Sequence, residues 1–303
     1  MAHSAAHDPM ALSDPDLRRT WLFGPGADAS MHAAMQSSGA DALIADLEDF
    51  TPPDRRELAR RTLPSLLRSW REAGRIVAVR INALEAEGPI DLAAAMPARP
   101  DVIAYPMATS PEQMHALHLA LIHWEGALGF SLGSTEILPV CETALGVVNV
   151  RAIAAASARI RCALLGAEDL AADLCAERQS DASELDYARR RFVLECRAAA
   201  IEPIDAPYTF SDPEGATREA TYSRRLGYRS KSLVRPEHAA PLNTVFTPGR
   251  EEIRRANAIV DAFEAARARG EDRALVDGLW VEVPTYRNAQ RLIERAHRLA
   301  DRR

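Results

Sequence analysis

Long apolar runs are missing from this 303-residue chain, and none approaches the roughly 20 residues that a membrane helix requires. The opening stretch, MAHSAAHDPMALSDPDLRR, lacks the basic start and apolar core of a secretory leader, so neither export nor a membrane partner is expected. A basic excess is missing as well. Lys and Arg number 37 against 43 Asp and Glu, a net charge of −6, which excludes the basic stripe that nucleic acid needs. Cysteine is scarce. Cys141, Cys162, Cys175 and Cys196 lie far apart with no C-x-x-C pair, which argues against a disulfide framework or a zinc knuckle. Mostly buried thiols in a reducing cytoplasm fit this usage best. No Gly-rich dinucleotide fingerprint follows the first apolar run either.

What is present is alternation. Short β-capable runs recur at Thr20–Gly24, Ala42–Asp46, Ile76–Ile81, Val102–Pro106, Ile137–Cys141, Cys162–Gly166, Pro203–Ala206 and Ser230–Val234. Each reads as a strand of the kind a parallel sheet buries on both faces. Amphipathic stretches such as Asp54–Ala73, Pro111–Gly126 and Leu185–Ala200 separate them. Eight strands alternating with helices over this length predict an α/β fold, a (β/α)8 TIM barrel, with a C-terminal helical extension. The predicted organisation is a loose tail over 1–17, the barrel over 18–247 and the extension over 248–303. Thr247-Pro248-Gly249 acts as a stop signal. A helix at Arg250–Arg269, a short segment Leu275–Val283 and a final helix then form either a packing appendage or a lid that completes a site.

Two signals are decoys. Gly129-Phe130-Ser131-Leu132-Gly133 spells G-x-S-x-G, but a nucleophile elbow needs a strand before it and a helix after it, and here the order is reversed. His115, His118 and His123 share a helix whose polar character makes them solvated rather than ligands.

In a barrel of this type, chemistry sits where strands end. Those ends carry Glu48 and Asp49 after the second run, Arg80 closing the third, Glu142 after the fifth, and Glu168 and Asp169 after the sixth. Five acids and one arginine at one mouth raise each other's pKa unless a cation is held among them. Mg²⁺ suits such a set, because it takes one or two carboxylates and fills its remaining positions with water and substrate oxygens.

The blocks RRTWLFGPG (18–26), ADALIADLED (40–49), AVRINAL (78–84), ILPVCETALGVVN (137–149), LLGAEDLAADL (164–174) and DPEG (212–215) resemble the citrate lyase β-subunit-like branch of the HpcH/HpaI aldolase family. GYRSKSLVRPEHAAPLNTVFTP (227–248) and VDGLWVEVPTYRNAQRL (276–292) continue the likeness, which covers about residues 18–300. The resemblance implies a homo-oligomer, a trimer or hexamer, of TIM barrels that uses Mg²⁺ on short 3-hydroxyacyl thioesters. The expected ligands are thus an acyl-CoA and a 2-oxo acid. It puts the metal on Glu142 and Asp169, the substrate carboxylate on Arg80, and metal-bound water or the steering of Arg80 on Glu48 and Asp49. Glu282 becomes the acidic residue presented to a neighbouring subunit's barrel. Arg19, Lys231 and Arg235 join Arg80 and Glu48 as groups holding the substrate and its CoA.

The reaction implied is carbon–carbon cleavage of a citramalyl-, malyl- or citryl-type thioester into acetyl-CoA and a 2-oxo acid. The alternatives are thioester hydrolysis or malate-synthase-like condensation at the same site, or a weakly active subunit working with partner chains. Three positions depart from the family pattern. Glu282 stands where Asp is usual, Tyr105-Pro106-Met107 replaces "LPK", and Val234-Arg235-Pro236 replaces "IHP". They predict an altered thioester or acid pocket.

Overall fold

The computed structural model describes residues 14–301. Eight parallel strands form a closed barrel in chain order: β1 Thr20–Pro25, β2 Ala42–Asp46, β3 Ile76–Arg80, β4 Val102–Tyr105, β5 Glu136–Cys141, β6 Cys162–Leu165, β7 Glu202–Asp205 and β8 Ser230–Leu233. β8 closes on β1 through Thr20↔Lys231 and Trp21↔Ser232. The connecting helices are α1 Ala29–Ser37, α2 Pro53–Glu72, α3 Gly88–Ala95, α4 Pro111–Leu128, α5 Ala144–Ala155, α6 Glu168–Asp173, α7 Asp186–Ala198 and α8 Pro213–Leu226. All eight expected strands are present, shifted by at most a residue or two at their ends. None of the helices described is long and apolar enough to cross a membrane.

Strand periodicity decides what faces the lumen, because successive side chains point to opposite faces. Trp21, Phe23, Ala42, Ile44, Ile76, Ala78, Val102, Ala104, Leu138, Val140, Cys162, Leu164 and Ile204 form one buried cluster. They are alternate residues of seven strands, so this cluster is the barrel interior. The other phase packs against the helices, and burying each large apolar side chain contributes roughly 1.5–3 kcal/mol.

The amino-terminal end of the barrel is shut by charge. Arg18, fully buried, donates to both oxygens of Glu136 at 2.7 and 2.8 Å and lies over the Trp21 ring. Arg161 adds a second cation to Glu136 at 2.8 Å. Of the expected loose tail, residues 1–13 lie outside the described residues. Residues 14–17 correct that expectation, because Pro15–Leu17 form a 3-10 turn capped by Asp14, Leu17 is buried, and Asp16 pairs with Arg229.

A second compact unit begins at Val245, three residues before the predicted boundary and inside the helix α9 (Ala239–Phe246). It comprises α10 (Arg250–Ala268), a hairpin of β9 (Ala274–Val276) and β10 (Leu279–Val281), and α11 (Val283–Ala300). Ile259, Phe263, Ala266, Val281 and Ala289 form its core, with Phe263 and Tyr286 stacked at 4.7 Å.

Three of the four cysteines are buried and all are free. The G-x-S-x-G stretch follows a helix and leads into β5, so it builds no elbow. His118 is held by Ser157 and Arg159.

Candidate active site

The site is built where the lumen phase reaches the carboxyl ends of the strands. Asp46 and Arg80 are register partners on β2 and β3, both in phase with the interior. Arg80 Nε donates to Asp46 Oδ1 at 2.8 Å and Nη2 donates to Oδ2, a bidentate pair that fixes the guanidinium plane. The same carboxylate accepts the backbone N–H groups of Glu48 at 2.9 Å and Phe50 at 3.2 Å. One buried aspartate therefore organises both the arginine and the loop after β2. The rings of Phe23 and Phe50 flank the guanidinium at 5.3 and 5.7 Å.

Arg80 Nη1 faces Glu48 Oε2 at 2.8 Å and Asp49 at 3.8 Å. The Glu48 oxygen makes no aligned hydrogen bond, so this is a charge contact rather than a directed one. Burial pushes the Glu48 carboxyl up to about 7, with Asp49 and Asp46 adding to the rise and Arg80 opposing it. Burial works against the charge of Arg80, yet Asp46 and Glu48 overcome it and raise its pKa.

Glu142, one residue past β5, is buried and accepts the Met107 N–H at 2.8 Å. Met107 reaches it from a left-handed backbone conformation, φ 48°, that a methionine rarely adopts. Gly166 makes the room: a Cβ there would lie 2.4 Å from the Glu142 Cβ and 2.9 Å from its Oε2. Burial pushes the Glu142 carboxyl up to about 8. Asp169 and Glu48 reinforce this, while the Met107 N–H and Arg80 pull the other way. Asp169 stands exposed in the first turn of α6.

Arg80, Glu48, Asp49, Glu142 and Asp169 are thus brought to one mouth. Other expected residues are not. Arg19 is a correction: it precedes β1, so it lies at the opposite end of the barrel, where Asp41 binds it at 2.8–2.9 Å. Lys231 is a second correction. It pairs in register with Asp205, out of phase with Ile204, and so points between barrel and helices. Its ammonium, fully buried, donates to Asp205 and Glu219 at 2.6 Å each and to the Ala206 carbonyl, leaving no proton for a substrate. Arg189 completes that cluster with a bidentate pair to Asp205 at 2.7 and 3.0 Å.

Arg235, just past β8, lies 3.6 Å from Glu237. Glu282 belongs to the second unit, exposed at the N-cap position of α11. Glu168 also leaves the expected acid cluster, since its carboxylate binds Thr209 Oγ1 at 2.6 Å and Arg178 at 3.1 Å. Among the described residues no three His, Cys, Asp or Glu side chains group to hold a metal. What remains is a pair of acids, Glu142 and Asp169, whose charges act on each other.

The sequence reading overlooked Asp46, Gly166 and the Met107 N–H. The signal for Asp46 was available, since in Ala42-Leu43-Ile44-Ala45-Asp46 it shares the phase of the inward residues.

Closed parallel barrel and acidic carboxyl-end mouth together define an enzyme of the (β/α)8 class. Residues 19–236 match the model of the HpcH/HpaI aldolase/citrate lyase family, and the chain belongs to that family. It is similar to the citrate lyase subunit beta of Leuconostoc mesenteroides subsp. cremoris, 33% identical over 94% of this chain and 95% of that one. It is also similar to the L-malyl-CoA/beta-methylmalyl-CoA lyase of Cereibacter sphaeroides, 30% identical over 93% and 95%. Among solved structures, the CitE protein of Mycobacterium tuberculosis in complex with magnesium and pyruvate matches with a TM-score of 0.64, 25% identity and coverage of 78% and 93%. The chain is accordingly a carbon–carbon lyase of a CoA-ester lyase family.

Proposed function

We propose that this chain is a Mg²⁺-dependent lyase that cleaves a short 3-hydroxyacyl-CoA, of citramalyl, malyl or citryl type, into acetyl-CoA and a 2-oxo acid. The observation that carries the reading is Glu142. It is a buried acid that fits only because position 166 is glycine, is aimed by one backbone N–H, and feels the charge of Asp169 as well as that of Arg80. Two carboxylates at one strand-end mouth suit Mg²⁺, which takes one or two such ligands and fills the rest with water and substrate oxygens. Glu142 and Asp169 would hold it. Bound there, Mg²⁺ supplies Lewis acidity to the oxygen on the carbon that becomes the ketone.

The chain's own groups do the rest. Arg80, its plane set by Asp46, presents the edge that now faces Glu48 to the carboxylate of the acid half. The hydroxyl proton leaves to the carboxylates of Glu48 and Asp49. The bond between the carbinol carbon and the thioester α-carbon breaks, and its electron pair passes to the thioester as an enolate. Glu282, presented from the second unit of a neighbouring copy in a trimer or larger ring, gives the α-carbon its proton. In the reverse direction Glu282 removes that proton. Acid–base help of this kind is worth roughly 10²–10⁴-fold. The Cys141, Cys162 and Cys196 thiols, buried and unpaired, suit a reducing cytoplasm.

Glu142→Gln and Asp169→Asn should each abolish Mg²⁺ binding, read by calorimetry, and Mg²⁺-dependent cleavage, read by product mass spectrometry. Retention of both properties in both variants would sink the reading.

A further inference from the structure

We propose that Asp173 is a positioning residue, which ties the short helix carrying Asp169 to the loop carrying Glu142 and so sets the spacing of the two acids. This rests on the reading of Glu142 and Asp169 as Mg²⁺ ligands and adds the side chain that holds their mounts together. The Asp173 carboxylate accepts the backbone N–H of Ala144 at 2.7 Å, which links α6 to the start of α5. Ala144 follows Glu142 by two residues. Asp173 follows Asp169 by four, one helical turn along the same face. A single hydrogen bond therefore joins the segments on which the two acids stand.

The place of Asp173 is unfavourable for its own helix and favourable for the next. It is the last residue of α6, where the negative end of the helix dipole disfavours an acid. At α5 the same carboxylate meets the positive end. Thr143, the N-cap of α5, spends its hydroxyl on the Gly146 N–H at 3.0 Å, so the first amide of that helix takes its acceptor from Asp173. α6 needs such an anchor. It has six residues and no side-chain N-cap, and a helix that short does not hold itself in place. Leu170 and Ala171 bury one side of it, and Glu168 fastens its first turn to the Thr209 hydroxyl at 2.6 Å, in the loop after β7. Asp169 is thus mounted between two fastenings, and Asp173 is the one that leads to Glu142. Mg²⁺ demands near-ideal octahedral geometry at about 2.0–2.1 Å, whereas Ca²⁺ accepts irregular oxygen shells at about 2.3–2.6 Å. A loosened mount should therefore cost Mg²⁺ more than Ca²⁺.

The test titrates the full chain calorimetrically with Mg²⁺ alone and with Ca²⁺ alone. Asp173→Ala should weaken Mg²⁺ about 10–100-fold, the range for groups that orient metal ligands, and weaken Ca²⁺ less. Asp173→Asn keeps an oxygen for the Ala144 N–H and drops only an exposed charge, so it should stay within about fivefold of the unaltered chain. Asp173→Ser, polar but too short to keep the bond, is read like the alanine variant if that one does not fold. A lowered unfolding temperature with unchanged Mg²⁺ affinity would make Asp173 a helix cap alone and overturn the proposal. Equal losses of Mg²⁺ and Ca²⁺, or an asparagine variant as weak as the alanine one, would make the effect one of charge and overturn it too. In those cases the unaltered chain still binds Mg²⁺ and the lyase reading stands. Failure of the unaltered chain to bind Mg²⁺ takes down that reading and this one together.

Discussion

The two ends of the barrel spend charge in opposite ways. At the amino end one glutamate, Glu136, is satisfied by two arginines, Arg18 and Arg161, and the group is closed over by Trp21. At the carboxyl end one arginine, Arg80, stands before Asp46, Glu48 and Asp49, and Glu142 rises to about 8 with little positive charge in reach. The amino end is a finished ion cluster that holds strands together. The carboxyl end is left deficient in cations, and that deficit is what a metal and a substrate anion would fill. Burial is similar at Glu136 and Glu142, 5% and 4% exposed, so burial alone does not mark a site; the balance of partners does.

Paired glutamine substitutions test this comparison most sharply. Glu142→Gln should cut cleavage about 10³-fold, the loss of several kcal/mol of metal assistance, while the fold is unharmed or slightly stabilised. Glu136→Gln should do the reverse. It removes one partner from a buried ion group, which costs about 3–5 kcal/mol of stability in thermal or denaturant unfolding, and leaves kcat of the folded fraction unchanged. If both variants lost activity with equal stability, the two ends would not differ in kind.

A smaller effect is expected at Gly166→Ala. The new Cβ would press on Glu142 at 2.4 Å and displace a carboxylate whose position matters on the ångström scale, for roughly a 10²-fold loss in kcat/KM. Counted per pH unit, the smallest expected effect is with pH. Metal ligands must be deprotonated, so Mg²⁺ affinity should rise about tenfold per unit as pH approaches 8, the value to which Glu142 is raised, and level off above it. Stability without metal should move the other way. The folded state holds protons on Glu142 and Glu48 that the unfolded chain releases above its ordinary carboxyl range. Their contribution is therefore complete below that range and is lost as pH climbs through about 7 and 8. Calorimetric titrations and melting curves across pH 5–9 check both slopes.

Much of this molecule was legible from its residues. Parallel strands covered on both faces must be short continuous apolar runs, and that constraint exposed every stave of the barrel and so every strand end. Glu48, Asp49, Arg80, Glu142 and Asp169 followed from position alone. The errors share one physical cause, which is direction. Arg19 precedes β1 and so fell at the other end, a whole strand away from the mouth. Lys231 lay on a barrel strand but in the wrong phase, so its ammonium went to Asp205 and Glu219. Glu168 was adjacent to a site residue, yet Thr209 and Arg178 drew it aside. Contacts of that sort depend on chain segments dozens of residues away, and spacing along the sequence does not report them. Gly166 illustrates the same limit, because its role lies in the Cβ it lacks beside Glu142.

The sealed amino end has a kinetic consequence. With Arg18 and Glu136 stopping the floor, the lumen is a cul-de-sac, and every molecule admitted leaves by the opening it came through. On the reading proposed above, an acid held against Arg80 and its thioester partner would share that one opening, so the two would have to come and go in turn.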